Sequence, residues 1–229
     1  MLRMSTPTAI IIGAIILGVS HVGYGYLMRS SSPSSSTTAF KGRTIDATDL
    51  MTGNTKAKVI LMEYSDTECP YCAQLYPTIK QIEQQYGSKI GYVYRYFPLT
   101  QIHKNAFDEA RAVYCVGKEL GAEKRKAYID ALFDYKWSKK NMTLPNGQKE
   151  TIAKGLGVND ATFGACMQSQ EANDAINASI QDGVTAGVQG TPASFVLIKT
   201  RKGYETVAMI DGARPFDYFK TVIDDALSR

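Results

Sequence analysis

The chain is poor in the residues that build metal centres. It has two histidines and four cysteines in 229 residues. A structural zinc site needs four nitrogen or sulfur ligands. Cys69 and Cys72 form a lone C-x-x-C with no second copy, Cys115 and Cys166 stand apart from it, and His21 lies in an apolar N-terminal stretch, leaving His103 as the other imidazole. No metal is expected. Dense basic clusters are missing as well. The net charge is +4, the Lys and Arg residues are scattered, and their tightest group is "EKRK", Glu123 to Lys126. That group reads as a solvated helix face, and nucleic-acid binding is excluded on this pattern. No internal repeat is apparent.

Formal charge is absent from Met4 to Met28, with His21 counted neutral, around the core "AIIIGAIILGV" of Ala9 to Val19 behind Arg3. This reads as an export segment. Two fates stay open. Gly23-Tyr24-Gly25 can serve as a small-x-small cleavage site, and the uncharged run is also long enough to stay as a membrane anchor. Either way the rest of the chain is expected outside the cytoplasm, periplasmic or at the cell surface. "SSSPSSSTT", Ser30 to Thr38, is too polar to bury and reads as a flexible linker. The expected divisions are residues 1–29 for the signal or anchor, 30–44 for the Ser/Thr-rich linker, and 45–229 for the folded domain.

Within that domain "KVILMEYS", Lys58 to Ser65, is an apolar run of strand length. "PYCAQLYPTIKQIEQQYG" follows with Leu75, Ile79, Ile82 and Tyr86 at helical spacing, Pro70 in the first turn, Gly87 as a stop and a kink expected at Pro77. "KIGYVYRYFPL" is a second strand. A long helical stretch then separates it from a third strand at Ala193 to Lys199, a hairpin partner at Tyr204 to Ile210, and a closing helix. The order is βαβ, helical insert at about 100–187, then ββα: an α/β fold.

Cys69 and Cys72 fall where the first strand ends and a helix begins. The first N–H groups of a helix lack internal partners, and its dipole favours negative charge there. A thiolate is the attacking form of cysteine, and a second thiol one turn on can resolve a mixed disulfide. The motif therefore reads as a redox pair. A disulfide closing so small a loop would constrain the unfolded chain little, which argues against a purely structural role. Cys115 and Cys166 have no neighbouring cysteine or evident base. In an exported protein they are expected to form a structural disulfide; two buried thiols or a second redox pair are the alternatives. Their loop of about 50 residues would stabilise by about 4 kcal/mol. Thr191-Pro192 opens the third strand, either as a plain turn or as a cis proline facing the cysteines and leaving backbone groups free for a substrate chain. Glu63, six residues before Cys69, is either an ordinary exposed strand residue or a buried acid able to relay protons to the thiols.

Taken together, "VILMEYSDTECPYC", the helical insert entered through "FPL" and "HKNAFDEARAVYC", and "GTPASFVLI" resemble the DsbA-like thiol-disulfide oxidoreductases of the thioredoxin superfamily, from about Val59 to the C-terminus. The resemblance implies a thioredoxin-like fold with an inserted all-helical domain. It implies Cys69 as nucleophile, Cys72 as its partner, Pro192 as the cis proline with Thr191 beside it, and Glu63 as the buried acid. It implies no cofactor beyond the Cys69–Cys72 disulfide, exported folding proteins as substrates, and a membrane quinone-linked thiol oxidase as reoxidant. A monomer is expected. A dedicated isomerase of this superfamily usually carries an N-terminal dimerisation domain, and the about 20 residues between linker and first strand are too few for one. The sequence departs from the best-known periplasmic members in the dipeptide, Pro-Tyr in place of Pro-His, so Tyr71 brings no positive charge to the thiolate. Cys-Pro-Tyr-Cys also occurs in glutaredoxins, which the export segment, the insert and the extra cysteines disfavour. The expected activity is oxidation of exported proteins, with a reductase or isomerase, or a tethered peptide-binding chaperone, as alternatives.

Overall fold

Strand β3, Val59–Ser65, is buried along its whole length, and its alternate residues enter two different cores. Val59 and Leu61 point to one face; Ile60, Met62 and Tyr64 point to the other. A strand buried on both faces must lie in the middle of a sheet with layers on each side. The structure is a computed structural model that describes Thr37–Arg229, so the expected export segment and nearly all of the Ser-rich stretch lie outside the described residues. These residues form one six-stranded sheet, in the order β1 (Thr38–Ala39), β6 (Gly203–Asp211), β5 (Ala193–Thr200), β3, β4 (Ile90–Tyr96) and β2 (Thr52–Gly53). β3 pairs in parallel with β4, Ile90–Tyr96, and antiparallel with β5, Ala193–Thr200. β6, Gly203–Asp211, completes the hairpin with β5. Among the described residues no helix is long and apolar enough to cross a membrane.

Helix α1, Pro70–Tyr86, connects β3 to β4 and continues through Pro77 as one element. Its Leu75, Ile79 and Ile82 pack on the Val59 and Leu61 face together with Phe219 and Ile223 of the closing helix α6, Phe216–Ser228. The insert holds four helices: α2, Ala106–Lys139, α3, Gln148–Gly155, α4, Asp160–Met167, and α5, Gln170–Ala186. α2 breaks at Gly121, whose φ of 82° lies in the left-handed region that glycine adopts without strain.

The described sheet includes residues ahead of Ile45. β1, Thr38–Ala39, pairs with Thr206 and Glu205, and the Phe40 ring meets Phe195 at 5.4 Å. Arg43 then binds Asp46 and Asp49, each at 2.7 Å. Two residues of strand with one aromatic and one charged anchor give no periodic signal. β2, Thr52–Gly53, on the far edge beside β4, was illegible for the same reason. The "EKRK" group is also corrected. Arg125 and Lys126 are buried, and only Glu123 and Lys124 are exposed. Arg125 donates to the carbonyls of Asp49 and Leu50, while Lys126 pairs with Glu83 and Asp130.

Candidate active site

β3 delivers the chain to Asp66-Thr67-Glu68, and Cys69 takes the N-cap position of α1 with extended backbone. Its side chain makes no capping bond, so the first N–H groups of the helix remain directed at its sulfur. Pro70 at the first helical position removes no needed donor. Cys72, one turn on, is buried; its Sγ accepts from the Asp66 N–H at 3.5 Å. Both sulfurs are free thiols.

Across from them the Thr191–Pro192 bond is cis, and the Cys69 thiol donates to the Thr191 carbonyl at 3.3 Å. That contact suits the protonated sulfur. The Thr191 hydroxyl is buried without another protein partner and is available to the thiolate. The balance favours the anion: a hydrogen bond from Cys72, aided by Thr191 and by the backbone N–H groups of Cys72 and Tyr71, brings Cys69 down to about 6 against the opposing effect of burial. Cys72 moves the other way. Burial pushes its thiol well above the ordinary value, and the adjacent Cys69 adds to this. The two thiols thus differ in role: one ionises readily and the other holds its proton.

Glu63 falls on the α1 face of β3, in step with Val59 and Leu61, and is 4% exposed. Burial raises its carboxyl, partly offset by the nearby Ser65 and by Tyr92, whose Oη donates to Oε2 at 2.7 Å. Glu63 and Cys72 lie close enough for the carboxylate to help hold the Cys72 thiol up. The structure therefore brings Cys69, Cys72, Glu63, Thr191 and Pro192 to one place.

Cys115 and Cys166 are elsewhere, bonded to each other at 1.99 Å between α2 and α4. Among the described residues no three His, Cys, Asp or Glu side chains gather as a metal-binding group.

Several residues around the site had escaped sequence reading. The loop before Cys69 is held by the helical insert through each of its three side chains. Asp66 accepts from the Leu99 N–H at 2.8 Å and contacts His103 Nδ1 at 2.7 Å. Thr67 donates its hydroxyl to Glu109 at 2.5 Å, and its carbonyl accepts from Lys136 at 2.9 Å. Glu68 accepts from the backbone and side chain of Asn105. Lys136 is fully buried and pairs with Glu109 at 2.5 Å. A signal for it existed: Lys136 continues the spacing of Tyr128, Leu132 and Phe133, so it is a lysine on an apolar helix face.

A family model described as Thioredoxin matches residues 46–225, and the chain belongs to that family. Its fold is similar to that of DsbA2 of Pseudomonas aeruginosa, which superposes with a TM-score of 0.64 at 24% identity, covering 80% of this chain and 96% of the other. Among curated proteins, the Na(+)/H(+) antiporter NhaA 1 of Mycobacterium sp. (strain KMS) is 29% identical over 160 residues, 68% of this chain but 24% of the antiporter. A putative protein-disulfide oxidoreductase of Rickettsia felis is 28% identical over 190 residues, 80% of this chain and 62% of that protein.

Proposed function

We propose that this domain is an extracytoplasmic protein thiol-disulfide oxidoreductase that introduces disulfides into exported proteins. The observation that carries the reading is the placement of Cys69 at the start of α1, one turn from the buried Cys72 and facing the cis Thr191–Pro192 bond, where Cys69 is pushed down and Cys72 up. A stable Cys69 thiolate makes the reduced form favourable and the disulfide a good oxidant. Each unit by which the Cys69 value lies below the working pH adds about 1.4 kcal/mol to the reduced form, or about 30 mV for a two-electron couple.

The chemistry needs no external cofactor, since the Cys69–Cys72 disulfide itself takes the two electrons. A substrate thiolate attacks Cys69 Sγ, the Cys69–Cys72 bond breaks, and Cys72 leaves as a thiolate. Glu63 hands it a proton, becoming the carboxylate. A second substrate thiolate then attacks the substrate sulfur of the mixed disulfide, and Cys69 departs as the stabilised thiolate. The substrate has lost two electrons and the enzyme pair has gained them. Thr191 and Pro192 face the reacting sulfur and offer backbone to an extended substrate chain. Tyr71 is 62% exposed beside it and gives apolar surface to the same chain. A membrane quinone-linked thiol oxidase reoxidises the pair in this reading, and the domain acts as a monomer.

The direct test is oxidative refolding of a reduced, unfolded protein. The wild type should restore its disulfides and the Cys69→Ser, Cys72→Ser double variant should not. Equal refolding by both would replace the oxidoreductase reading with a peptide-binding one. Tyr71, which adds no charge to the thiolate, favours a weaker oxidant or a reductase, and the reduction potential separates these directions.

A further inference from the structure

Asp66 to Cys69 form a tight turn that carries the backbone from β3 into α1. The Cys69 N–H donates to the Asp66 carbonyl at 3.1 Å, which closes the turn and leaves Cys69 at the start of the helix. The Asp66 N–H, at the other end of the turn, donates to Cys72 Sγ at 3.5 Å. Between these two contacts lies the Thr67–Glu68 peptide, and both of its polar groups are taken. Its N–H donates to Asp66 Oδ1 at 2.8 Å, and its carbonyl accepts from Lys136 Nζ at 2.9 Å.

Nothing obliges an ammonium to fill that place. A neutral donor would satisfy the carbonyl, and a buried charge is costly. Lys136 is fully buried, and its partner Glu109, also buried, comes from the other side of the Gly121 break in α2. Burial raises Glu109 and lowers Lys136, and each is opposed chiefly by the charge of the other. The same Glu109 oxygen accepts from the Thr67 hydroxyl at 2.5 Å, so the pair and the turn close one ring of hydrogen bonds. Replacing a buried ion pair with apolar residues is often neutral or stabilising, so stability alone does not account for this one.

We propose that Lys136 is a positioning residue of the active site: by fixing the Thr67 carbonyl it holds the Asp66–Cys69 turn, so that the Asp66 N–H stays on Cys72 as that sulfur leaves. The proposal rests on the oxidoreductase reading. When a thiolate attacks Cys69 Sγ, the electron pair of the Cys69–Cys72 bond passes to Cys72 Sγ, and negative charge develops there. A donor already in place stabilises that charge without rearranging at that moment. The Asp66 and Glu68 side chains tie the turn to Leu99, His103 and Asn105, and Lys136 ties its central peptide. The helical insert thereby sets how readily the cysteine pair opens.

Two variants that differ only at Lys136 test this. Glu109→Gln keeps the ammonium on the Thr67 carbonyl but removes its counter-charge. Lys136→Met with Glu109→Gln removes the carbonyl bond and leaves no charge at the pair. By denaturant unfolding the single variant should be the less stable, because it strands a buried charge. Reactivity should run the other way. The probe is dithiothreitol acting on folded protein with the Cys69–Cys72 disulfide formed: one of its thiolates attacks Cys69, the other closes its own ring disulfide, and it loses the two electrons that the pair gains. A misplacement of about 1 Å can cost about a hundredfold, and the turn keeps its other ties, so the double variant should be reduced about tenfold more slowly than Glu109→Gln. A residue that only holds the fold would make rate follow stability, so a double variant reduced as fast as Glu109→Gln overturns the proposal. If Glu109→Gln does not fold, the double variant against the wild type decides. If the double variant does not fold, Lys136→Met with Glu109→Leu, a wholly apolar pair, takes its place. A wild type whose Cys69–Cys72 disulfide is reduced no faster than Cys115–Cys166 would instead overturn the oxidoreductase reading, and the role of Lys136 with it.

Discussion

The two cysteine pairs occupy opposite kinds of helix environment. Cys69 sits at the start of α1, where unpaired N–H groups and the positive end of the dipole stabilise an anion. Cys166 sits in the last turn of α4, where unpaired carbonyls and the negative end disfavour one. Its own carbonyl accepts from the Ser169 hydroxyl at 2.7 Å, which ties that turn to the start of α5. Cys69 and Cys72 are also one turn apart on a single helix, whereas Cys115 and Cys166 join two helices across 51 residues. On the proposed reading, the same side-chain chemistry serves electron exchange at one pair and chain constraint at the other.

The comparison is broken most completely by Cys69→Ser, which should abolish disulfide exchange. Cys72→Ser should instead accumulate mixed disulfides with substrates, seen as reductant-sensitive high-mass species in cells producing the protein. Trapping by Cys69→Ser in place of Cys72→Ser would reverse the assignment of nucleophile. Removing the other pair should do the converse. Cys115→Ala with Cys166→Ala should cost about 4 kcal/mol by denaturant unfolding on the chain-entropy account, while exchange activity at low temperature persists. Loss of exchange without loss of stability would make it a second redox pair.

A smaller and more graded effect is pH dependence. The Cys69 value is depressed in the folded protein from an ordinary 9.0 to about 6. A depressed acid contributes stability that is fully present above its unfolded value and is lost as pH falls through the folded one. The reduced protein should therefore gain on the disulfide form as pH rises from about 6 to 9, and gain nothing further above 9, where the raised Cys72 thiol works against it. Melting temperatures of both redox forms across this range check the sign. The smallest effect is expected at Thr191→Val, which removes the free hydroxyl but keeps the carbonyl. Cys69 alkylation should then titrate at higher pH by a fraction of a unit, and a downward shift would contradict the role given to that hydroxyl.

Much of this contrast was legible in residue order. The apolar run of β3, the helical spacing of Leu75, Ile79 and Ile82, and the C-x-x-C between them place Cys69 at a helix start without any coordinates. The face of Glu63 was not legible, because a strand buried on both sides has no polar side to orient it. Packing of Val59 and Leu61 against α1 decides it. Arg95 was hidden in the same way: it lies inside an apolar strand yet is buried, bound to Asp49 at 2.8 Å and to Asp182 at 2.6 Å. Its partners come from a short 3₁₀ turn and a distant helix, so no local pattern joins them. Lys126 looked like a surface charge because its partners are 43 residues upstream and four downstream, in Glu83 and Asp130.

The central claim is that the site is built to oxidise, and the reduction potential of the Cys69–Cys72 pair tests it most directly. Equilibration with glutathione at pH 7, read alongside Cys69 alkylation against pH, gives the potential and the thiolate together. The account predicts a potential above that of thioredoxin, about −270 mV, with Cys69 titrating below neutrality. A potential at or below that value, with Cys69 titrating like a free cysteine, would contradict it and make the domain a reductase.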